Sequence, residues 1–78
     1  MDFERISTVI DRSGLARATI YRDIAAGVFP PPIKIGGTAV WSRDEVSALN
    51  KARLAGKSDD EIRALVADLK RQRAAVPA

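Results

Sequence analysis

The stretch that decides the fold is LARATIYRDIAAGVFPPPIKIGGTAVW, residues 15–41. Its first half places Ile20 and Ile24 one helical turn apart, which predicts a helix with one apolar face. The other sides carry small residues mixed with a few long polar ones: Arg17, Ala18, Thr19, Tyr21, Arg22, Ala25 and Ala26. Small side chains allow a helix to approach another molecule closely, and Arg and Tyr can reach across the remaining gap. The pattern therefore predicts a helix that enters a groove.

A shorter helix is predicted just before it. Ser7 is a good N-cap, because its hydroxyl can accept a hydrogen bond from a free amide of the first turn. Gly14 can close the helix in the left-handed conformation, and Ile6, Val9 and Ile10 then share one side. Two short helices joined at a glycine turn, the second with exposed arginine, indicate a helix-turn-helix. From these residues alone, an ordinary helical hairpin with a solvated outer face is an equal alternative.

The second half of the stretch predicts a β-hairpin. Prolines at residues 30–32 prevent the helix from continuing, and Phe29 is expected to fill the core where the chain turns. Residues 33–35 alternate apolar and charged side chains as a half-buried strand does, and residues 39–41 form the returning strand after a turn at residues 36–38. A hairpin directly after the second helix of a helix-turn-helix is the wing of a winged helix. A plain structural hairpin is the alternative.

Two more helices follow, each introduced by a predicted capping box in which serine and glutamate cap each other: Ser42 with Glu45, and Ser58 with Glu61. The first helix is expected to run to about Ala55, and the second over residues 59–74. Their predicted buried residues are Val46, Leu49, Ile62, Leu65, Val66 and Leu69. The basic residues of the last turn, Lys70, Arg71 and Arg73, suit the negative end of the helix dipole, with DNA contact as the alternative.

The sequence thus predicts a mainly α protein with about four helices and a small two-stranded β-hairpin. Residues 1–57 are expected to form a winged helix-turn-helix domain. Residues 58–78 are expected to add a C-terminal amphipathic helix and a short tail. This helix is expected to cover the small core, with self-association or contact with a partner protein as the alternative.

The composition of the 78 residues argues against several functions. The chain contains neither Cys nor His, which excludes disulfides and thiolate metal sites and removes the commonest general base. The remaining Ser, Asp, Glu and Lys residues form no recognisable catalytic arrangement, so we expect no enzyme, cofactor or metal. Since neither a signal peptide nor an apolar run of about 20 residues is present, we expect a cytoplasmic, nucleoid-associated protein with no membrane contact.

Basic residues are concentrated in the middle of the chain. The net charge is +3, and the excess lies in residues 29–57. There Lys34, Arg43, Lys51, Arg53 and Lys57 outnumber Asp44 and Glu45. A locally basic surface favours a polyanion as partner over an acidic protein surface.

Residues 6–49 resemble the AlpA family of phage and prophage regulators, part of the MerR-like winged-helix group that includes many excisionases. The resemblance is carried by TIYR at residues 19–22, GVFP at 27–30, IKIG at 33–36, VWS at 40–42 and the helix start EV at 45–46. Their joint order is more specific than any one fragment. The chain departs from the family pattern at Ala16, which replaces a capping Ser, at Val28 and Thr38, which replace often basic residues, and at Leu49, which replaces a common Trp.

The resemblance implies a protein that binds double-stranded DNA. Such proteins are transcription regulators or excisionases, also called recombination directionality factors. Excisionases bind repeated sites, bend the DNA and help an integrase to excise. By the resemblance, Arg17, Thr19, Tyr21 and Arg22 belong to the recognition helix, and residues 34–38 belong to the wing. With Ala18 and Arg43 added from their positions, the candidate DNA-binding residues are Arg17, Ala18, Thr19, Tyr21 and Arg22 in the helix, and Lys34, Gly36, Gly37, Thr38 and Arg43 in the wing and its flank. We expect Arg17 and Arg22 to reach guanine edges or phosphates, and Tyr21 either to hydrogen-bond a phosphate or to be a half-buried packing ring.

The sequence is compatible with three functions. An excisionase with an integrase as partner and cooperative self-association on DNA is favoured, because the chain is small and lacks a separate pair of dimerisation helices. A prophage transcription regulator is the second hypothesis. A protein-interaction module resembling an antitoxin is the third. The few basic residues predicted at the wing imply modest affinity per protomer or several protomers acting together.

Overall fold

Four helices and three short strands surround a single core in the computed structural model, which describes residues 2–75. The elements are β1 (Phe3–Glu4), α1 (Ile6–Ser13), α2 (Arg17–Ala25), β2 (Ile33–Ile35), β3 (Thr38–Ser42), α3 (Arg43–Leu54) and α4 (Asp59–Ala74). The α1–α2 pair followed by the β2–β3 hairpin confirms the predicted winged helix-turn-helix. The expected tail after residue 75 lies outside the described residues.

The sheet has three strands where the sequence predicts two. Its order is β1-β3-β2, and all pairings are antiparallel. Phe3 pairs with Ser42 and Glu4 with Trp41, so β1 lies along β3 on the side opposite β2. The predicted two-stranded wing is present as β2 and β3, and β1 is a third strand that the sequence does not predict. A two-residue strand is too short to display the alternation that identifies strands in a sequence.

The helix ends agree with the predictions except at the start of α1. The predicted cap residue Ser7 lies inside the first turn, and the N-cap is Arg5, whose side chain makes no capping bond. This prediction is wrong because the chain leaves β1 at Glu4 and enters the helix at once. The C-cap prediction is confirmed, since Gly14 has a φ of 72° in the left-handed region.

The two predicted capping boxes have different outcomes. At α4 the box is complete: the Ser58 amide donates to Glu61 (3.1 Å) and the Glu61 amide donates to the Ser58 hydroxyl (3.2 Å). At α3 the Glu45 amide donates to the Ser42 hydroxyl (3.4 Å), which is half of the box. The other half is wrong, because the Glu45 carboxylate accepts hydrogen bonds from Arg73 on α4 instead.

The core is built mainly from aliphatic side chains around two large aromatic ones. Phe29 and Trp41 are fully buried, and the Trp41 indole donates to the Pro30 carbonyl (2.9 Å). The prediction that Phe29 fills the core is confirmed. The other buried members of the cluster are Val9, Ile20, Val28, Val46, Leu49, Ile62 and Val66.

Replacing the α4 cap should measurably weaken the fold. We expect Ser58→Ala to lower the free energy of unfolding by about 1 kcal/mol, because the Glu61 amide in the first turn loses the hydroxyl that accepts its hydrogen bond. The hydrogen bonds of the capping box, with Lys57 nearby, hold the pKa of Glu61 below its ordinary value of 4.5. The contribution of Glu61 is therefore present at neutral pH and is lost as the pH falls through that lowered pKa. Urea denaturation at pH 7 and at acid pH measures both effects.

A matched control for this prediction is Ser7→Ala. Ser7 is exposed and lies within α1 without a capping bond, so its replacement should leave the unfolding free energy nearly unchanged. Equal losses in the two variants would contradict the assignment of Ser58 as the cap.

Candidate nucleic-acid interface

Helix α2 separates a core side from an outward side. Ile20 is fully buried, and Ile24 packs against the core cluster. The predicted site residues lie mainly outward: Arg17, Ala18, Tyr21 and Arg22 are exposed, whereas Thr19 is half-buried. The outward side thus presents two arginines with a small alanine between them. Ala16 caps the helix without a side-chain hydrogen bond.

Arg22 is largely free to contact another molecule. Its side chain is 76% exposed, and its Nε lies 3.7 Å from the Asp23 carboxylate. An exposed ion pair of this length contributes little to stability. The other Asp23 oxygen lies 3.5 Å from Arg53, which approaches from α3. Asp23 therefore faces Arg53 on one side and leaves the Arg22 guanidinium mostly hydrated.

Tyr21 lies between α2 and the sheet. Its ring meets the Trp41 ring edge-on, with centroids 6.3 Å apart and an interplanar angle of 69°. This geometry is favourable for aromatic pairs. Tyr21 is nevertheless 43% exposed. The ring packs edge-on against Trp41 while much of it stays exposed, and phosphate binding by its hydroxyl stays a prediction.

The β2–β3 hairpin, which we call the wing, presents Lys34 on the side of Tyr21. Lys34 pairs with Ala39, and directly paired residues share one face of a sheet. Ala39 and Trp41 are two residues apart on β3 and so share that face as well. Because Trp41 contacts Tyr21 there, the exposed Lys34 lies on the same side of the wing as Tyr21.

The tip of the wing is a tight glycine turn. Gly36 and Gly37 both have positive φ values, 56° and 83°, which two-residue hairpin turns require and glycine adopts without strain. A Cβ atom at either position would meet open space. Gly37 lies about 13 Å along β3 from Trp41, at about 3.3 Å per residue, so the tip projects well beyond the core. Thr38 begins the returning strand and is half-buried.

Arg43 does not join the wing tip. It follows the end of β3 that lies farthest from the tip, and its amide donates to the Asp2 carbonyl (2.9 Å). Its side chain is exposed. The structure therefore places this predicted flanking residue beside β1, apart from Lys34 and the glycine turn.

Several basic residues that a charge count makes available to a ligand already bond to other groups of the protein. Arg53 donates to the Val28 carbonyl (3.1 Å), and Arg12 donates to Glu4 (2.5 Å) and to Ser47. Arg73, expected to act through the helix dipole, instead binds Glu45 at 2.8 and 2.5 Å, and these bonds raise its pKa above the ordinary value. Arg71 pairs with Asp68 as a helix neighbour (2.8 Å) and holds the pKa of that carboxyl below its usual range.

Within residues 2–75, no three acidic side chains come together as a group that could hold a metal ion. Over the same residues, no helix combines the length and apolar character needed to cross a membrane.

Comparisons with known proteins agree with this architecture. Residues 3–54 match the sequence model of the family described as prophage CP4-57 regulatory protein (AlpA). The uncharacterized protein ORF88 of Enterobacteria phage P4 is 43% identical over 56 residues, which cover 70% of this chain and 64% of that protein. The chain thus spans slightly less than two thirds of the length of this relative. No solved structure is significantly similar. The family match runs from β1 to the end of α3 and includes every predicted site residue, and the chain belongs to the AlpA family of prophage regulatory proteins.

Proposed function

We propose that this protein is a phage or prophage regulator that binds double-stranded DNA through the outward side of α2 and the wing. The observation that carries the proposal is the exposed pair Arg17 and Arg22, which flanks the small Ala18 on a helix anchored by buried Ile20. Lys34 adds a third cation, on the face of the wing that Tyr21 of α2 contacts.

The dimensions of α2 suit the DNA major groove. The groove is about 12 Å wide, close to the diameter of an α-helix with its side chains. Arg17 and Arg22 would then meet guanine edges or nearby phosphates, while Thr19 and Ala18 allow close approach. The glycine tip, about 13 Å from Trp41, would lie over the neighbouring backbone or minor groove with Lys34 and Thr38. Arg43 would contact a more distant stretch of backbone.

Within this class we favour an excisionase, which binds repeated sites, bends the DNA and assists an integrase. The supporting observation is the small number of available cations. Arg53 donates to the Val28 carbonyl and lies 3.5 Å from the Asp23 carboxylate, so fewer charges remain for phosphates than residues 29–57 suggest. Modest affinity per protomer favours several protomers binding cooperatively. The alternative is a transcription regulator at a single promoter site, which the description of the family as regulatory favours.

A gel-shift titration on DNA that spans the attachment region of the encoding element tests the proposal. We expect successive cooperative bands as protomers load side by side. If about five phosphates are neutralised per protomer, the log–log salt slope should be near −4 to −5 for each step. A circular-permutation version of the same assay measures bending.

The other outcomes identify the alternatives. A single band at one site, without bending, would favour a transcription regulator. Absence of any shift at low salt, on specific and on non-specific DNA, would contradict DNA binding and favour a protein-interaction module.

A further inference from the structure

The segment between α2 and β2, residues 26–32, is held by side chains from three other elements; we call it the connector. Three of its residues are consecutive prolines, which have no N–H and cannot join a strand ladder as donors. The carbonyls of residues 26–28 have these prolines four residues ahead, where a continuing helix would supply N–H donors, so they depend on donors from elsewhere. Four carbonyls of the connector are bonded: Ala26 by Arg63 (3.1 Å), Val28 by Arg53 (3.1 Å), Pro30 by Trp41 (2.9 Å) and Pro31 by Arg73 (2.9 Å).

Helix α4 contributes donors at both ends of the connector. Arg63 and Arg73 are ten residues apart, which corresponds to about 15 Å along a helix. Arg63 bonds the carbonyl of Ala26, the C-cap of α2, and its side chain passes close to Gly27, where an added Cβ would lie 3.5 Å from the Arg63 Cγ. Arg73 bonds the Pro31 carbonyl, two residues before β2 begins.

Arg73 is itself fixed in place. Two of its guanidinium nitrogens bind the two carboxylate oxygens of Glu45 on α3, at 2.8 and 2.5 Å. Bidentate pairs of this kind restrict the orientation of the guanidinium plane. Glu45 is buried, and its amide is tied to Ser42 at the end of β3. The bond from Arg73 to the connector is therefore linked, through Glu45, to the end of β3 in the wing.

We propose that α4 clamps the connector and so sets the orientation of the wing relative to α2, which makes Arg63 and Arg73 positioning residues for DNA binding. The inference rests on the proposed function, since α2 and the wing are the elements assigned there to DNA. A groove-inserted helix and a wing can contact one duplex together only at a defined mutual angle. Helix α4 lies outside the residues matched by the family, so the clamp is a feature of the chain beyond residue 54.

A distance measurement without DNA tests the clamp directly. The chain has no cysteine, so Ala18→Cys and Ile35→Cys introduce the two sites for spin labels, one on α2 and one on the wing. We expect a narrow distance distribution in the parent protein by pulsed electron paramagnetic resonance. It should broaden in Glu45→Gln/Arg73→Met, which removes both members of the buried ion pair so that neither charge is left alone. Arg63→Met, at an exposed position, should broaden it less and provides a variant that folds readily.

Ser58→Ala is the control for general weakening of α4, because it removes the cap and keeps the three arginines that donate to the connector. Its distance distribution should stay as narrow as that of the parent. Unchanged distributions in both clamp variants, or equal broadening in the Ser58→Ala control, would overturn the clamp.

The salt dependence of DNA binding tests the consequence. In the parent protein, Lys34→Ala should flatten the log–log salt slope by about 0.9, the value for one lost phosphate contact. In the Glu45→Gln/Arg73→Met background the slope should already be flatter, and Lys34→Ala should change it no further. If Lys34→Ala flattened the salt slope by the same amount in both backgrounds, the two changes would act independently and the clamp would be overturned. A parent protein that shifts no DNA would contradict the proposed function instead, so the two failures are distinguishable.

Discussion

Replacing Arg17 and Arg22 together with alanine is expected to lower the affinity for specific DNA by at least about 30-fold and to leave the melting temperature unchanged. A well-placed arginine contact to a base is worth about 1–3 kcal/mol, so two contacts account for about 2–6 kcal/mol. Both side chains are exposed, and the Arg22 contact with Asp23 is long at 3.7 Å, so the fold loses little. Gel shifts on specific and competitor DNA, with thermal unfolding followed by circular dichroism, measure the two quantities. Arg22→Ala alone should produce a smaller loss of the same kind.

The matched control is Lys70→Ala/Arg71→Ala, which also removes two positive charges, here from the exposed side of α4. Because DNA attracts any basic protein, this control is expected to weaken binding slightly, through the net charge alone. An equal loss of affinity in both double variants would mean that α2 is not the contacting helix. A fall in melting temperature confined to the α2 variant would mean that its arginines are structural.

The elements that bear on DNA binding could be predicted because their signals are local. The spacing of Ile20 and Ile24 identifies α2, and the glycine pair at residues 36 and 37 identifies the turn of the wing. Strand β1 gives no such signal. Its two residues are ordered by pairing with β3 and by the buried Glu4, which binds Arg12 at 2.5 Å. Pairings of this kind depend on the finished fold, so no periodicity in the sequence reports them.

The difference between local and long-range contacts also decides which paired basic residues could be predicted. Helix-neighbour pairs such as Asp68 with Arg71 follow from their spacing. Arg53 and Arg73 bond carbonyls 25 and 42 residues away, and nothing in their immediate neighbours shows it. A charge count therefore overestimates the basic surface of residues 29–57. The three consecutive prolines are the signal that could have raised the question, because they supply no N–H to the carbonyls of residues 26–28.

Replacing Phe29 with alanine is expected to unfold most of the protein at 25 °C. Truncating a buried phenylalanine costs about 3–5 kcal/mol, and a core of this size supplies a total stability of about 3–5 kcal/mol. Phe29 is fully buried in the same cluster as Trp41, the one tryptophan of the chain. Its fluorescence therefore reports the core directly, and we expect red-shifted emission together with loss of helical circular dichroism. Phe3→Ala makes the same chemical change at a side chain that is 45% exposed, and it should stay folded.

Adding DNA to Phe29→Ala connects this stability to the proposed function. A ligand that binds only the folded state stabilises it by about 2.7 kcal/mol at a concentration 100 times its dissociation constant. Specific DNA should therefore restore much of the helical signal and shift the Trp41 emission back, because Phe29 lies in the core and leaves the outward side of α2 intact. Phe29→Ala in the Arg17→Ala/Arg22→Ala background should not be rescued at the same DNA concentration. If Phe29→Ala were folded without DNA, the core around the connector would be far more tolerant than its complete burial implies. Equal rescue in both backgrounds would show that DNA stabilises the fold without using the two arginines, which would place the interface elsewhere on the molecule.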